Sequence, residues 1–324
     1  MKRIAVLNAS TYQRHLIHGE NRTWAETNCY SDVVIELLHG LGHEPIAALP
    51  FTFAIDFEGD QWTFFKFPDA DLLELYGLDI QELAVWRPLV DHITDQVSAG
   101  RPVLVELDSY FLPDTAGSAY KLSHVKSTVA VNEIDKVARH LGYFHNQGYY
   151  VLDGADFSDV FQLEGLVHER MLPPYIEYVK TRADFALQTL PQLVELSLSL
   201  LKKHLGRVPQ NNPFVQFKTR FTQDLQWLMT ADMESFHAYS FATLRQYGAC
   251  FELSETYLRW LGEQGVNELD VALNAFQKIS QTAKAFQFQL ARAMARKKPL
   301  DLSPLDQMSM HWEMGIALLR LKHG

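Results

Sequence analysis

Apolar positions recur along this chain at two different spacings, and the change falls near residue 170. Behind Cys29 come Val33, Val34, Leu37, Leu38 and Leu41, three or four apart, which buries one face of a helix. Asn28 or Thr27 supplies its N-cap, and Gly40-Leu41-Gly42 followed by Pro45 supplies its end. Before it, residues 3–7 read as a short strand and residues 8–26 as a polar, irregular loop. From 46 to 67, Phe51, Phe53, Ile55 and Phe57 alternate loosely, then Trp62, Phe64, Phe65 and Phe67, with Glu58-Gly59-Asp60 between the halves. That pattern predicts a β-hairpin, its aromatics being core or, for a few, a substrate wall. Short helices are expected over 69–76 and 89–97, and buried strands over 101–108, 124–131 and 141–146. A turn at Gln147-Gly148, a strand over 149–152 and a short helix over 156–161 complete this part.

Past residue 170 the spacing is helical throughout, over 175–205, 213–246, 249–263, 268–297 and 303–322, with no strand-like segment. Gly206, Pro209, Gly248, Gly262, Gly265 and Pro299 punctuate the runs. Pro173-Pro174 marks the transition. The expectation is an α+β domain over 1–168 and an all-helical domain over 169–324.

Composition narrows the function. With 47% hydrophobic and 21% charged residues the chain is of ordinary globular make-up. A net charge of −10 argues against nucleic-acid binding as the main task. The two cysteines, Cys29 and Cys250, lack metal-ligand spacing, so neither a disulfide framework nor a cysteine zinc site is expected. Among the thirteen histidines, His15 and His18 do not make a convincing metal pair, since no third ligand has a matching position, and metal dependence is not expected. The N-terminal apolar stretch is too short for a signal peptide and no run approaches a membrane span. The expected location is the cytoplasm, with no nucleic-acid or membrane partner. Oligomeric state, a dimer included, is open.

A cysteine on the first turn of a buried helix sits at the positive end of the helix dipole, which favours thiolate. The plain alternative is a small, inert core residue. A nucleophilic cysteine needs a base and a group to orient the base. His124 opens one strand and Asn146 closes the next, so the chain order is Cys29, His124, Asn146. A neutral amide can hold the imidazole tautomer through its carbonyl oxygen, and His145 is an alternative partner. Asp108, at a strand end, is read first as a group satisfying backbone donors in the next turn. Tyr110 is a wall or a packing residue, and Asn28 or the Cys29 N–H is a possible oxyanion donor. His237 and Cys250 are read as core. The run Arg292-Ala-Met-Ala-Arg296-Lys297-Lys298 suits a helix C-terminus for dipole reasons. Its sharper reading is a docking site for an acidic protein, for which Lys202, Lys203 and Arg207 form a rival patch.

Cys29 at a helix start, Gly100-Arg-Pro-Val-Leu-Val-Glu-Leu-Asp108-Ser-Tyr110-Phe-Leu112-Pro113 and His124 before a Val-rich strand resemble a known group. It is the papain-like N-terminal domain of the butirosin-biosynthesis acyltransferases, and more distantly the double-glycine leader peptidases. The likeness covers about residues 25–165. The whole chain, with Glu58-Gly-Asp-Gln-Trp62-Thr-Phe and Tyr143-Phe-His-Asn146, is also similar to an uncharacterised bacterial family. Its members accompany small acyl-carrier proteins and amino acid:carrier-protein ligases. The resemblance implies a papain-like fold and acyl transfer. An acyl or aminoacyl group on the phosphopantetheine arm of an acyl or peptidyl carrier protein would pass through acyl-Cys29 to a small-molecule amine or peptide. No bound cofactor or metal is implied. Related peptidases carry Asp as third member, and papain-type enzymes place a Gln donor where this chain has Thr23. The alternatives are a thioesterase or peptidase on the same residues, and a non-catalytic carrier-protein binding module.

Overall fold

In the computed structural model, which describes residues 1–163 and 174–324, the chain forms two compact units. The first comprises Met1–His18, Asn28–Pro45 and Asp69–Leu187, and the second Gly19–Thr27, Ile46–Pro68 and Gln188–Gly324. The boundary expected at 168/169, with Pro173, lies outside the described residues.

The first unit is built on one antiparallel sheet. Its strands are β1 (Lys2–Arg3), β2 (Leu78–Glu82), β3 (Val103–Asp108), β4 (Lys126–Asp135), β5 (His140–His145), β6 (Gly148–Asp153) and β7 (Ile176–Thr181). They lie in the order β2-β7-β3-β4-β5-β6, with β1 paired to the far end of β4. Successive strand residues face opposite sides, and the two sides are covered differently. Val103, Val105, Leu107, Val129, Val131 and Tyr143 face a core shared with α3 (Leu89–Ser98) and α4 (Gly154–Val160). The residues between them, Leu104, Glu106, Asp108, Thr128 and Ala130, take the other side. That side receives α1 (Cys29–Gly40), and α2 (Asp69–Tyr76), the next α-helix of the same unit, packs beside β2. Asn28 is the N-cap of α1, its side-chain oxygen accepting from the Ser31 N–H at 2.9 Å, a contact worth about 1 kcal/mol. At the other end α1 runs against β5: a Cβ on Gly40 would stand 2.4 Å from Phe144 Cζ.

Strand β7 corrects the helical expectation for 175–205. Ile176-Glu-Tyr-Val-Lys-Thr is rich in β-branched and aromatic residues, and as an interior strand between β2 and β3 it buries Ile176, Glu177 and Val179. The helix begins only at Leu190, where Thr189 and Gln192 form a capping box.

The second unit is helical: α5 (Leu190–Leu205), α6 (Pro213–Leu228), α7 (Met233–Ser240), a π-helical turn (Phe241–Arg245), α8 (Gln246–Glu263), α9 (Asp270–Arg296) and α10 (Ser303–His323). Its core includes residues from early in the chain, and these correct the expected hairpin. Residues Pro45–Ala54 form 3-10 helical turns, because Ile46, Ala47, Ala48, Leu49, Phe51 and Phe53 are all buried with no polar alternation to define an exposed face. Only the turn survives, with Gly59 at φ 94° and a single bridge between Phe57 and Trp62. Trp62 is fully buried against Tyr247, Phe214 and Phe217, at ring distances of 4.8, 4.9 and 5.7 Å. Phe53 packs on Phe276 at 5.1 Å. Ser197 Oγ donates to the Ala47 carbonyl at 2.7 Å and Ser254 Oγ to Thr52 Oγ1 at 2.9 Å. Among the described residues no helix is long and apolar enough to cross a membrane.

Candidate active site

Cys29 is the first residue of α1, so its thiol sits where the helix's unpaired N–H groups and positive dipole end lie. The side chain is half-buried, and Sγ points to Thr128 Oγ1 at 3.9 Å. Cys250 offers no competing nucleophile: it is fully buried, burial pushes its thiol well above the usual range, and its Sγ donates to the Thr52 carbonyl at 3.5 Å.

Thr128 fixes which neighbours the thiol has. Strands β3 and β4 pair Thr128 with Glu106 and Lys126 with Asp108, and the pairing continues as the Ser109 N–H donates to the Val125 carbonyl at 2.8 Å. Asp108, Glu106, Lys126 and Thr128 therefore share the thiol's side of the sheet. His124 meets Asp108 at the strand end: Nδ1 donates to Asp108 Oδ2 at 2.6 Å, and the imidazole stacks at 4.4 Å and 14° on Tyr110, a ring that packs against the core shared with α3 and α4. Asp108 does two things at once. Its Oδ1 accepts from the Tyr110 N–H at 3.0 Å, the turn role read from sequence, while Oδ2 holds His124. With Nδ1 so engaged, Nε2 is the nitrogen set to exchange a proton with a nucleophile.

Asn146 has a different place. It is the first residue of the two-residue turn Asn146-Gln147 joining β5 to β6, at φ 48°, one position earlier than the expected turn. Pairing of Val129 with His145 sets Asn146 level with Thr128, four residues along β4 from His124. The structure thus joins His124 to the strand before it in sequence, not to the strand after. The signal was present: Asp108 and His124 flank the connection between two consecutive antiparallel strands, which brings their ends together.

His145 lies on the opposite side of the sheet from Cys29. Ser127, the residue before Thr128, donates from Oγ to His145 Nε2 at 2.7 Å, and His145 Nδ1 donates to Asp114 Oδ2 at 2.5 Å. Tyr143 donates to the other oxygen of Asp114 at 2.5 Å. The order of contacts is that of a serine triad, but His145 is wholly buried and Ser127 nearly so, on a strand of the core face. This network instead ties Asp114, within the 109–123 connection, to β4 and β5. Tyr120 and Lys121 tie the same connection to Asp156 and Asp159 of α4. Tyr110 and His124 stand at its two ends.

Asn28 is buried, with its carbonyl oxygen committed to the cap. The Cys29 N–H, a first-turn donor, is the better placed oxyanion group. Thr23 belongs to the second unit, where its N–H donates to Glu252 Oε1 at 2.8 Å.

One polar cluster went unread in the sequence. His18 is buried between two carboxylates of α1, with Nδ1 2.5 Å from Glu36 Oε1 and Nε2 3.2 Å from Asp32 Oδ1. Tyr12 donates to the other oxygen of Glu36 at 2.5 Å. Burial depresses the His18 pKa, but the hydrogen bonds and charges of Asp32 and Glu36 outweigh it and raise the value to about 8. Spacing on the helix, Asp32 to Glu36, was the available sign.

An antiparallel sheet with a helix-borne cysteine on one side, followed by a helical unit, defines a mixed α/β class of protein. Residues 13–181 match the DUF1839 N-terminal domain and residues 191–321 the DUF1839 C-terminal domain, so the chain belongs to the DUF1839 family. No curated protein matches it.

Proposed function

We propose that the protein is a papain-like cysteine acyltransferase that takes an acyl or aminoacyl group from a carrier-protein thioester. The observation that carries this reading is a helix-start cysteine on the sheet face that also bears Asp108, the carboxylate to which His124 is hydrogen-bonded. A core cysteine has no need of such a couple. The carrier-protein donor is favoured by the resemblance of the 100–124 stretch to the butirosin-biosynthesis acyltransferases.

In this mechanism His124 Nε2 accepts the Cys29 proton and the thiolate attacks the thioester carbonyl. The tetrahedral oxyanion is stabilised by the Cys29 N–H. Collapse breaks the carbon–sulfur bond to the phosphopantetheine arm, whose thiolate takes the proton from His124. An amine then attacks acyl-Cys29, gives its proton to His124, and expels the Cys29 thiolate as the amide forms. Asp108 holds Nδ1 throughout and stabilises the imidazolium.

Intact-mass measurement after mixing with acyl-loaded carrier protein tests this. Wild type should gain the acyl mass, lose it to hydroxylamine or an added amine, and Cys29→Ala should gain nothing. Free acid in place of amide would make the protein a hydrolase. No adduct across a panel of acyl groups, with Cys29 inert to iodoacetamide at neutral pH, would remove the nucleophile.

A further inference from the structure

The chain carries a net charge of −10, yet one face of the second unit is basic and aromatic. Along α9, Lys284, Phe288, Arg292 and Arg296 recur at four-residue spacing on one side of the helix, opposite the buried Phe286, Leu290 and Ala293. Phe288 is 62% exposed. The helix-dipole account of basic residues covers only the last turn. Lys284 and Phe288 lie two to three turns inside the end at Arg296 and need another explanation.

A second element widens the face. Gln287 Nε2 donates to Ser240 Oγ at 2.7 Å, which fixes the start of the π-helical turn against α9 at the level of Phe288. Phe241, the first residue of that turn, is 41% exposed, and the Arg245 guanidinium lies 5.5 Å from its ring centre. Lys284 Nζ stands 4.3 Å from the ring centre of Trp24 and 5.7 Å from that of Phe288. Burial, and then the positive charge of Arg245, hold the Lys284 ammonium below the usual lysine range. Glu26 pairs with Arg245 at 3.0 Å and Glu252 with Arg22 at 3.4 Å, so Arg245 contributes to the face by its stacking on Phe241, and the positive charge of the face comes from Lys284, Arg292 and Arg296. Exposed phenylalanines flanked by arginine are the composition of a protein-binding hot spot, and single-turn π-helices mark functional sites often.

We propose that Phe241, Arg245, Lys284, Phe288 and Arg292 form the docking face for the acidic carrier protein that delivers the thioester. The argument is charge complementarity: a cationic, aromatic face on a chain that is acidic as a whole selects an acidic protein surface with an apolar contact at its centre. This inference rests on the function proposed above.

Binding of fluorescently labelled acidic holo acyl-carrier protein to the full chain, read by anisotropy, tests it. Arg292→Glu and Lys284→Glu should each weaken binding about tenfold or more, with wild-type affinity falling as salt rises. Phe288→Ala should cost about tenfold. Arg292→Glu touches no core, so it guards against a folding defect in Lys284→Glu. None of the three should slow acylation of Cys29 by a small acyl-N-acetylcysteamine thioester. Absence of carrier binding to wild type, unchanged binding by all three variants, loss in Lys202→Glu/Lys203→Glu instead, or tighter binding of an RNA oligonucleotide would overturn it. Failure of the functional reading shows separately, as no acylation of Cys29 from either donor.

Discussion

Asp108 is the residue on which the proposed chemistry turns. Its Oδ2 accepts from His124 Nδ1, so Asp108→Asn keeps the shape but offers an amide that fits the other imidazole tautomer. Cys29 acylation should slow by about 10²- to 10⁴-fold, measured as single-turnover rate, with iodoacetamide labelling retained. Asn146 should behave in the opposite way. Held at φ 48° in a hairpin turn, it tolerates glycine, while Asn146→Val should cost about 1–2 kcal/mol in urea unfolding and leave the acylation rate unchanged. His18 supplies a pH signature. Its pKa is raised from the ordinary 6.5 to about 8, so its contribution is fully present below about pH 6.5 and is lost as pH rises through about 8. That contribution is on the order of 2 kcal/mol. Urea melts at pH 6 and pH 9 should show it in wild type, and His18→Gln should flatten the difference.

At the scale of elements, α9 was legible because one face, with Phe276, Ile279, Ala283, Phe286 and Leu290, is buried and the other wet. Helix α1 was legible from the spacing of Val33, Val34, Leu37 and Leu38 although Tyr30–Leu38 is buried all round, because its polar positions Ser31, Asp32 and Glu36 keep the helical period while being buried. Strands β3 to β6 were legible as strands. Two elements were not legible: residues 45–54 are a nearly unbroken apolar run with no helical or alternating polar period, and the interior strand β7 lacks clean alternation. Cys29 and His124 stand out as candidates by residue type and position, whereas the hydrogen bond from His124 to Asp108 is not readable from either. Which strand end meets His124 is a matter of register, and register is set by tertiary pairing. His145 and Asn146 were alternatives as partner of His124, and the alternation of a strand already sets His145 and its neighbour on different sides.

For the molecule as a whole, the order of the chain and the order of its units differ. The chain passes between units at 18/19, 27/28, 45/46, 68/69 and 187/188. Trp24, Phe53 and Trp62 complete the core of the helical unit although they lie within the stretch matched by the N-terminal family model. A fragment of residues 188–324 should therefore retain helix but bind 8-anilinonaphthalene sulfonate and lack dispersed NMR methyl signals. A separately supplied peptide of residues 46–68 should restore some order. A cooperative, well-dispersed 188–324 fragment would show that the early segments are dispensable. The same interleaving sets a schedule during translation. Phe51, Phe53, Trp62 and Phe65 leave the ribosome more than a hundred residues before α5, a delay of roughly 10 s at ordinary elongation speed. For that interval the nascent chain presents an unsheltered aromatic segment, so synthesis pace and holdase chaperones, rather than the finished molecule's stability, should govern how much native protein a cell obtains.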